Sequence, residues 1–203
     1  MNVSKTPSDP RILGRQLRDD DGCHLEQRRA IVALTLTSAA CMGLIALRQM
    51  GLIRRMPDVP FPWFNAEKVD TSDEAYEHLQ MGDAFLGLGS YAVTAGLAAM
   101  GGKFRTTEQP WIPLLLMGKA AMDAASSARL TRDQWVRHRA FCIWCLIASG
   151  ATFATAVLAV PEGGAAARNL LKSAKANGSQ SSGRRSRNGI SRILGSVTSR
   201  GSR

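Results

Sequence analysis

Two cysteines three residues apart, in Phe141-Cys142-Ile143-Trp144-Cys145, have the type and spacing to do chemistry. Residues at that spacing share one face of a helix, so the two sulfurs can form a disulfide or act as a dithiol. The pair stands at the head of an apolar run that ends near Val160. A helix N-terminus, with its free N–H groups and positive dipole end, favours a thiolate. His138 and Arg139 add positive charge in the preceding turn. Haem attachment is excluded because Leu146 stands where a histidine is needed. Zinc needs two more ligands, and no second cysteine pair exists. A thioredoxin-type domain needs alternating strand and helix patterns, which are absent. What remains is a thiol pair at a membrane boundary, exchanging electrons with something lipid-soluble.

The elements that must position this pair are four apolar stretches, Ala30 to Leu47, Ala84 to Gly102, Trp111 to Leu130 and Ala140 to Val160. Each is about as long as the hydrocarbon core is thick when coiled as a helix. A soluble bundle would show polar residues at helical period, yet the first, second and fourth stretches hold no Asp, Glu, Lys or Arg. The fold predicted is all-α: an integral membrane four-helix bundle over 30–162. Around it lie a polar N-terminal tail (1–29) and a basic C-terminal tail (163–203), both expected to be disordered, the first at most loosely helical. The 29 mostly polar residues before the first stretch are too many and too acidic for a cleaved leader, so the first helix is expected to be retained.

The net charge of +10 is unevenly distributed. Six Lys/Arg precede the first span and nine follow the last, whereas the 48–83 connection holds seven acids against four bases. The positive-inside rule then predicts both termini cytoplasmic and the 48–83 loop outside, in the inner (plasma) membrane if the source is bacterial. Arg129, Arg132, Arg137 and Arg139 oppose that orientation, but the tails carry more charge. The basic tail is expected to lie against anionic lipid headgroups. Nucleic acid is not expected as a partner, because no aromatic residues are interleaved with the bases.

Other residues attract weaker readings. Cys23-His24 supplies two ligand types but no metal site, and Cys41, near mid-membrane, reads as packing. The prolines and aromatics between Pro57 and Phe64 suit a membrane interface, and Asp70 to Leu79 reads as a short surface helix or a solvated connector. Asp83 suits an N-cap of the second span, and the Tyr91 hydroxyl within that span needs a partner or a ligand. Lys119 and Asp123, one turn apart in the third span, are either a self-satisfied pair or functional charges. In the fourth span Cys142, Cys145, Ser149, Thr152 and Ala156 form one stripe, suited to lining a pocket for a flat, polar-edged apolar molecule.

The CxxC at the head of the last of four spans, with Leu86-Gly87-Leu88-Gly89-Ser90-Tyr91 opening the second, resembles the vitamin K epoxide reductase family over about residues 30–162. The resemblance implies a membrane thiol:quinone oxidoreductase that takes electrons from a thioredoxin-like protein or other dithiol donor to a quinone of ubiquinone or menaquinone type. It implies that Cys142 and Cys145 are the active disulfide, with Cys142 meeting the incoming thiol and Cys145 facing the quinone. It implies that Asp83 stands where the family often has a quinone-bonding asparagine, and Ser149 where animal members have a tyrosine over the ring. Tyr91 falls at the family's tyrosine spacing and is the third residue expected to bind the cofactor.

The chain departs from the family in its first outside loop. Most relatives carry a shuttle cysteine pair there, whereas residues 48–83 hold no cysteine and Asp70, Thr71 and Ser72 occupy the approximate position. A reductant is therefore expected to reach Cys142 directly, with His138 or Asp83 handling protons. The competing reading is a degenerate relative kept as a non-catalytic membrane scaffold. A transporter built on Lys119 and Asp123 would need inverted repeats and broken helices, which four short spans lack.

Overall fold

A computed structural model of the chain describes residues 10–19, 22, 24–54, 63–65, 69 and 83–198. Cys23, the Asp70–Leu79 stretch and the approximate position of the missing loop cysteines lie outside these residues. By internal packing the chain divides into two units, Met1–Ala166 and Ala167–Arg203.

The first unit opens with α1 (Pro10–Asp19), followed by α2 (Leu25–Gln49), α3 (Asp83–Ala99), the single turn α4 (Arg105–Glu108) and α5 (Trp111–Asp133). A wider π-helical turn, Gln134–His138, continues α5, and α6 (Ile143–Thr198) is the last described element. The four apolar stretches correspond to α2, α3, α5 and α6, the second running three residues past α3 and the fourth beginning three residues before α6. Among the described residues there is no strand, only an isolated parallel bridge between Phe64 and Phe141.

Local chemistry sets the ends of these helices. At the end of α2, Gly51 takes φ +75. Its N–H bonds the Arg48 carbonyl at 2.8 Å while Leu52 N–H bonds that of Leu47 at 3.0 Å. This paired closure with a left-handed glycine is a Schellman motif. Gly101, at φ +79, ends α3 in the same left-handed conformation.

The cross-section of the bundle is inverted relative to a soluble protein. Leu36, Val93, Leu115, Met122 and Val157 are exposed, whereas Thr35, Ser38, Thr94, Ser127, Thr152 and Thr155 are buried. Small residues and hydroxyls inside with large apolar residues outside is the arrangement that a lipid solvent selects. Two of the helices, Leu25–Gln49 and Ile143–Lys175, are long and apolar enough to cross a membrane. Near one end a purely apolar layer forms, where Ile31, Ala98, Leu116, Ala120 and Ala159 pack together.

Beyond that layer the carbonyl end of α3 is closed by two buried arginines. Arg28 donates to the carbonyls of Ala98, Ala99, Met100, Gly101 and Gly102 at 2.9–3.3 Å. Arg105 donates to Leu97, Ala98 and Met100 and makes a two-pronged bond to Glu162 at 2.6 and 2.5 Å. α2 therefore begins at Leu25, five residues before the apolar stretch, because Arg28 is held inside by carbonyls of α3. The second unit continues α6 as helix to Thr198, where the Ser/Gly/Arg composition predicts disorder. No proline interrupts residues 162–198, and a helix needs only local hydrogen bonds to persist.

Candidate functional site

The sulfur pair sits where α6 begins. Leu146 N–H bonds the Cys142 carbonyl at 3.0 Å, which makes Cys142 the residue capping the helix. The cap is made by sulfur: Cys145 N–H donates to Cys142 Sγ at 3.4 Å. A side-chain acceptor on the third N–H of a helix is the standard N-cap geometry, and a thiolate fills that role better than a thiol. Cys142 is fully buried and Cys145 partly exposed.

Three elements converge on Cys142. Ile45 and Ala46 from the end of α2 and Ala84 from the start of α3 pack directly against it, with Met42, Phe85 and Cys145 alongside. From the π-helical turn the buried Gln134 accepts the Cys142 backbone N–H on its Oε1 at 3.3 Å. The residue before Cys142 is held by a short strap: Phe141 N–H bonds Trp63 O at 2.8 Å, and Asn65 N–H bonds Phe141 O at 3.1 Å. Trp63 stacks on Trp135, and Trp135 on Phe141, with ring centroids 6.1 and 5.4 Å apart. The Arg139 guanidinium lies 5.7 Å from the Trp135 ring centre. Arg139 reaches that position through a left-handed backbone, φ 51, which costs a non-glycine residue on the order of 1 kcal/mol.

The other expected site residues fall at different depths. Asp83 is the first residue of α3, at the level of the sulfurs, and its Oδ1 accepts the Gln49 amide at 2.9 Å. Ser149, one turn beyond Cys145, faces Thr131 of α5 with hydroxyls 3.3 Å apart. Tyr91 lies deeper and is buried, its hydroxyl 3.0 Å from Thr152 Oγ1. Cys41 is buried on α2, between Ser38, which bonds the Ala148 carbonyl, and Ile45, which packs on Cys142. The His138 side chain lies outside the described residues.

Lys119 and Asp123 pair at 2.6 Å, as their spacing predicts. They are not satisfied by each other alone. Lys119 Nζ also donates to Ser90 Oγ at 2.6 Å and Thr94 Oγ1 at 3.2 Å, and Ser90 and Thr94 both donate to Asp123. Gln134 and Thr131 were not legible as site residues. Their roles depend on how the wider turn brings the end of α5 back over α6.

The donor and acceptor inventory suits a quinone in part. Carbonyl oxygens need hydrogen-bond donors; Ser149 offers a hydroxyl on the Cys145 side, while Asp83 accepts from the Gln49 amide. The hollow beside Tyr91 has room for about one water, too little for an aromatic ring. A quinone ring therefore does not fit in that hollow.

Against known families, the profile of the vitamin K epoxide reductase family matches residues 29–160. The chain belongs to that family. The family is a helical membrane fold, so the bundle is membrane-integral and its inverted cross-section faces lipid. Its members are in general oxidoreductases that use quinones. No curated protein and no solved structure gives a match to the chain. The matched stretch contains both cysteines of the CxxC, Asp83, Tyr91 and Ser149, and stops short of Glu162.

Proposed function

We propose that this chain is a multi-pass membrane thiol:quinone oxidoreductase in which Cys142 and Cys145 cycle between dithiol and disulfide. The observation that carries the reading is the Cys145 N–H···Sγ Cys142 contact of 3.4 Å at the start of α6. It puts one sulfur where a helix end stabilises its anion, and the other within one turn of it. A scaffold has no need of such a cap. All four long helices span the bilayer in this reading, and both termini are cytoplasmic.

In the reductive half, a thiolate of a thioredoxin-like protein or other dithiol donor attacks Cys142 Sγ of the disulfide. The Cys142–Cys145 bond breaks and Cys145 leaves as thiolate. The donor's second thiol then displaces Cys142, and the donor departs as a disulfide. Because Cys142 is fully buried and its neighbour Phe141 is bonded to the strap at Trp63–Asn65, the first attack waits on local opening of the site. In the oxidative half, the two thiols surrender two electrons and two protons as their bond re-forms. A quinone of ubiquinone or menaquinone type supplies the two-electron acceptor chemistry. Cys145, the partly exposed sulfur, faces it; Ser149 donates toward a carbonyl oxygen, and Asp83 orients the Gln49 amide at the same level.

The test is quinone reduction by purified protein in detergent with a dithiol, against Cys145→Ser, together with redox trapping of the pair. The expected result is turnover by the wild type, loss of it in the variant, and a Cys142–Cys145 disulfide under quinone excess. A wild type whose pair never forms that disulfide with quinone in excess refutes the reading and leaves the scaffold.

A further inference from the structure

Three of the four long helices turn a hydrogen-bonding side chain to the same point in the bundle interior. Tyr91 of α3 meets Thr152 of α6 at 3.0 Å, and Ser38 of α2 lines the same hollow. One turn further from the sulfurs stand Thr35, Thr94, Asp123 and Thr155, one from each helix. Between the two layers lies the hollow with room for about one water. On the sulfur side the Ser149–Thr131 hydroxyl pair continues the column toward Cys145. From Cys145 to Thr152 is seven residues, about 10 Å along α6. On the other side the column stops at the apolar layer of Ile31, Ala98, Leu116, Ala120 and Ala159.

The hydroxyls run toward the redox pair through Ser149 and Thr131 and stop on the other side at the apolar layer, with Asp123 and Lys119 at the floor. A path closed at one end cannot conduct protons across the membrane, but it can store one. The titratable groups that face Asp123 among the described residues are Lys119 on its own helix and Tyr91 on α3. α2 and α6 present only the hydroxyls of Thr35, Ser38, Thr152 and Thr155.

We propose that Asp123, held by Lys119, is an internal proton store for the redox pair, reached through the Tyr91–Thr152 hydroxyl column. This rests on the thiol:quinone reading above. When the donor dithiol reduces the disulfide, two electrons and two protons arrive. One proton stays on a cysteine, leaving the other sulfur as thiolate, and one rests on Asp123. When the electron pair leaves for the acceptor and the disulfide re-forms, both protons follow it and Asp123 returns to carboxylate beside Lys119. Atoms and charge balance without a further reactant. The hydroxyls act as the relay, each accepting one proton as it passes on another.

The experiment compares quinone reduction by wild type, Asp123→Asn and Tyr91→Phe in detergent from pH 6 to 9, in water and in deuterium oxide. Oxidation of the same thiols by diamide, which bypasses the quinone, is the control. The expected result is a loss of quinone reduction in both variants of about a hundredfold, within the usual range for a removed acid–base group. The variants acquire a rate that falls as pH rises and a larger solvent isotope effect, while diamide oxidation stays at the wild-type rate. Tyr91→Phe keeps the ion pair and removes one hydroxyl, so it decides the matter where Asp123→Asn does not fold. An active wild type with Tyr91→Phe unchanged in rate and pH profile overturns the proton store and leaves the thiol:quinone reading intact. A wild type that oxidises with diamide but reduces no quinone overturns both.

Discussion

Replacing Glu162 with leucine should cost the bundle more than any single change near the sulfurs. Both partners of the Arg105–Glu162 pair are buried, and two bonds of 2.6 and 2.5 Å join them. Removing one partner of a buried pair leaves an uncompensated charge, for which about 3–5 kcal/mol is typical. Arg105 keeps its bonds to the carbonyls of Leu97, Ala98 and Met100, which soften the loss toward the lower figure. A destabilisation of about 3 kcal/mol lowers the folded-to-unfolded ratio roughly a hundredfold or more. The assay is SDS-driven unfolding of the protein in mixed micelles, followed by helicity. Adding Arg105→Met to Glu162→Leu should recover most of the loss, because replacing both charges with apolar groups is often neutral. Thiol alkylation kinetics should not change. Arg28 and Ile45 mark the two ends of α2, seventeen residues and about 25 Å apart. A loss below about 1 kcal/mol for Glu162→Leu, or no recovery in the double variant, would refute the argument that this pair is a desolvated lock.

Four other outcomes follow from the site. Gln134→Leu strands the Cys142 backbone N–H and should cost about 1–3 kcal/mol of stability in the same unfolding assay, with faster Cys142 alkylation. Trp63→Ala removes one aromatic stack, worth about 0.5–1.5 kcal/mol, so opening of the strap and Cys142 alkylation should rise about two- to twelvefold. If mass spectrometry finds no increase, the strap does not limit access to the sulfur. Thr152→Val removes the partner of Tyr91 and should cost about 0.6 kcal/mol, up to about 1.7, in unfolding free energy. Arg139→Gly relieves a left-handed residue and should be neutral or stabilising by up to about 1 kcal/mol, despite the lost contact with Trp135.

The helices were legible because membrane length and the absence of charge need only a window of sequence to be seen. The CxxC and its place at a helix start were legible for the same reason. Tyr91 was readable as a hydroxyl in need of a partner, and the stripe containing Ser149 and Thr152 supplied one. What stayed hidden was built between distant residues. Arg28, Arg105 and Glu162 lie in three separate parts of the chain, and nothing local marks them as one cluster. Arg28 looked like a residue of the flanking tail until the carbonyls of α3 drew it inside. Thr35, Ser38 and Thr94 each look like a hydroxyl that could bond its own backbone, so their convergence depends on helix rotation. Gln134 depends on the π-helical turn, which adds a residue to the turn and changes which side chain faces Cys142. Lys119 and Asp123 were visible as a pair, but not the two hydroxyls of α3 that join them.

The inverted cross-section also bears on how the protein responds to temperature. Hydroxyls, carbonyls and ion pairs fill much of the interior, while the large aliphatic side chains already face outward. Separating the helices within a lipid phase would bring little fresh aliphatic surface into contact with water. The unfolding heat capacity should accordingly be small for a chain of this length, and the stability curve flat. Chilling, which weakens proteins held together by water-driven burial, should leave this bundle almost untouched.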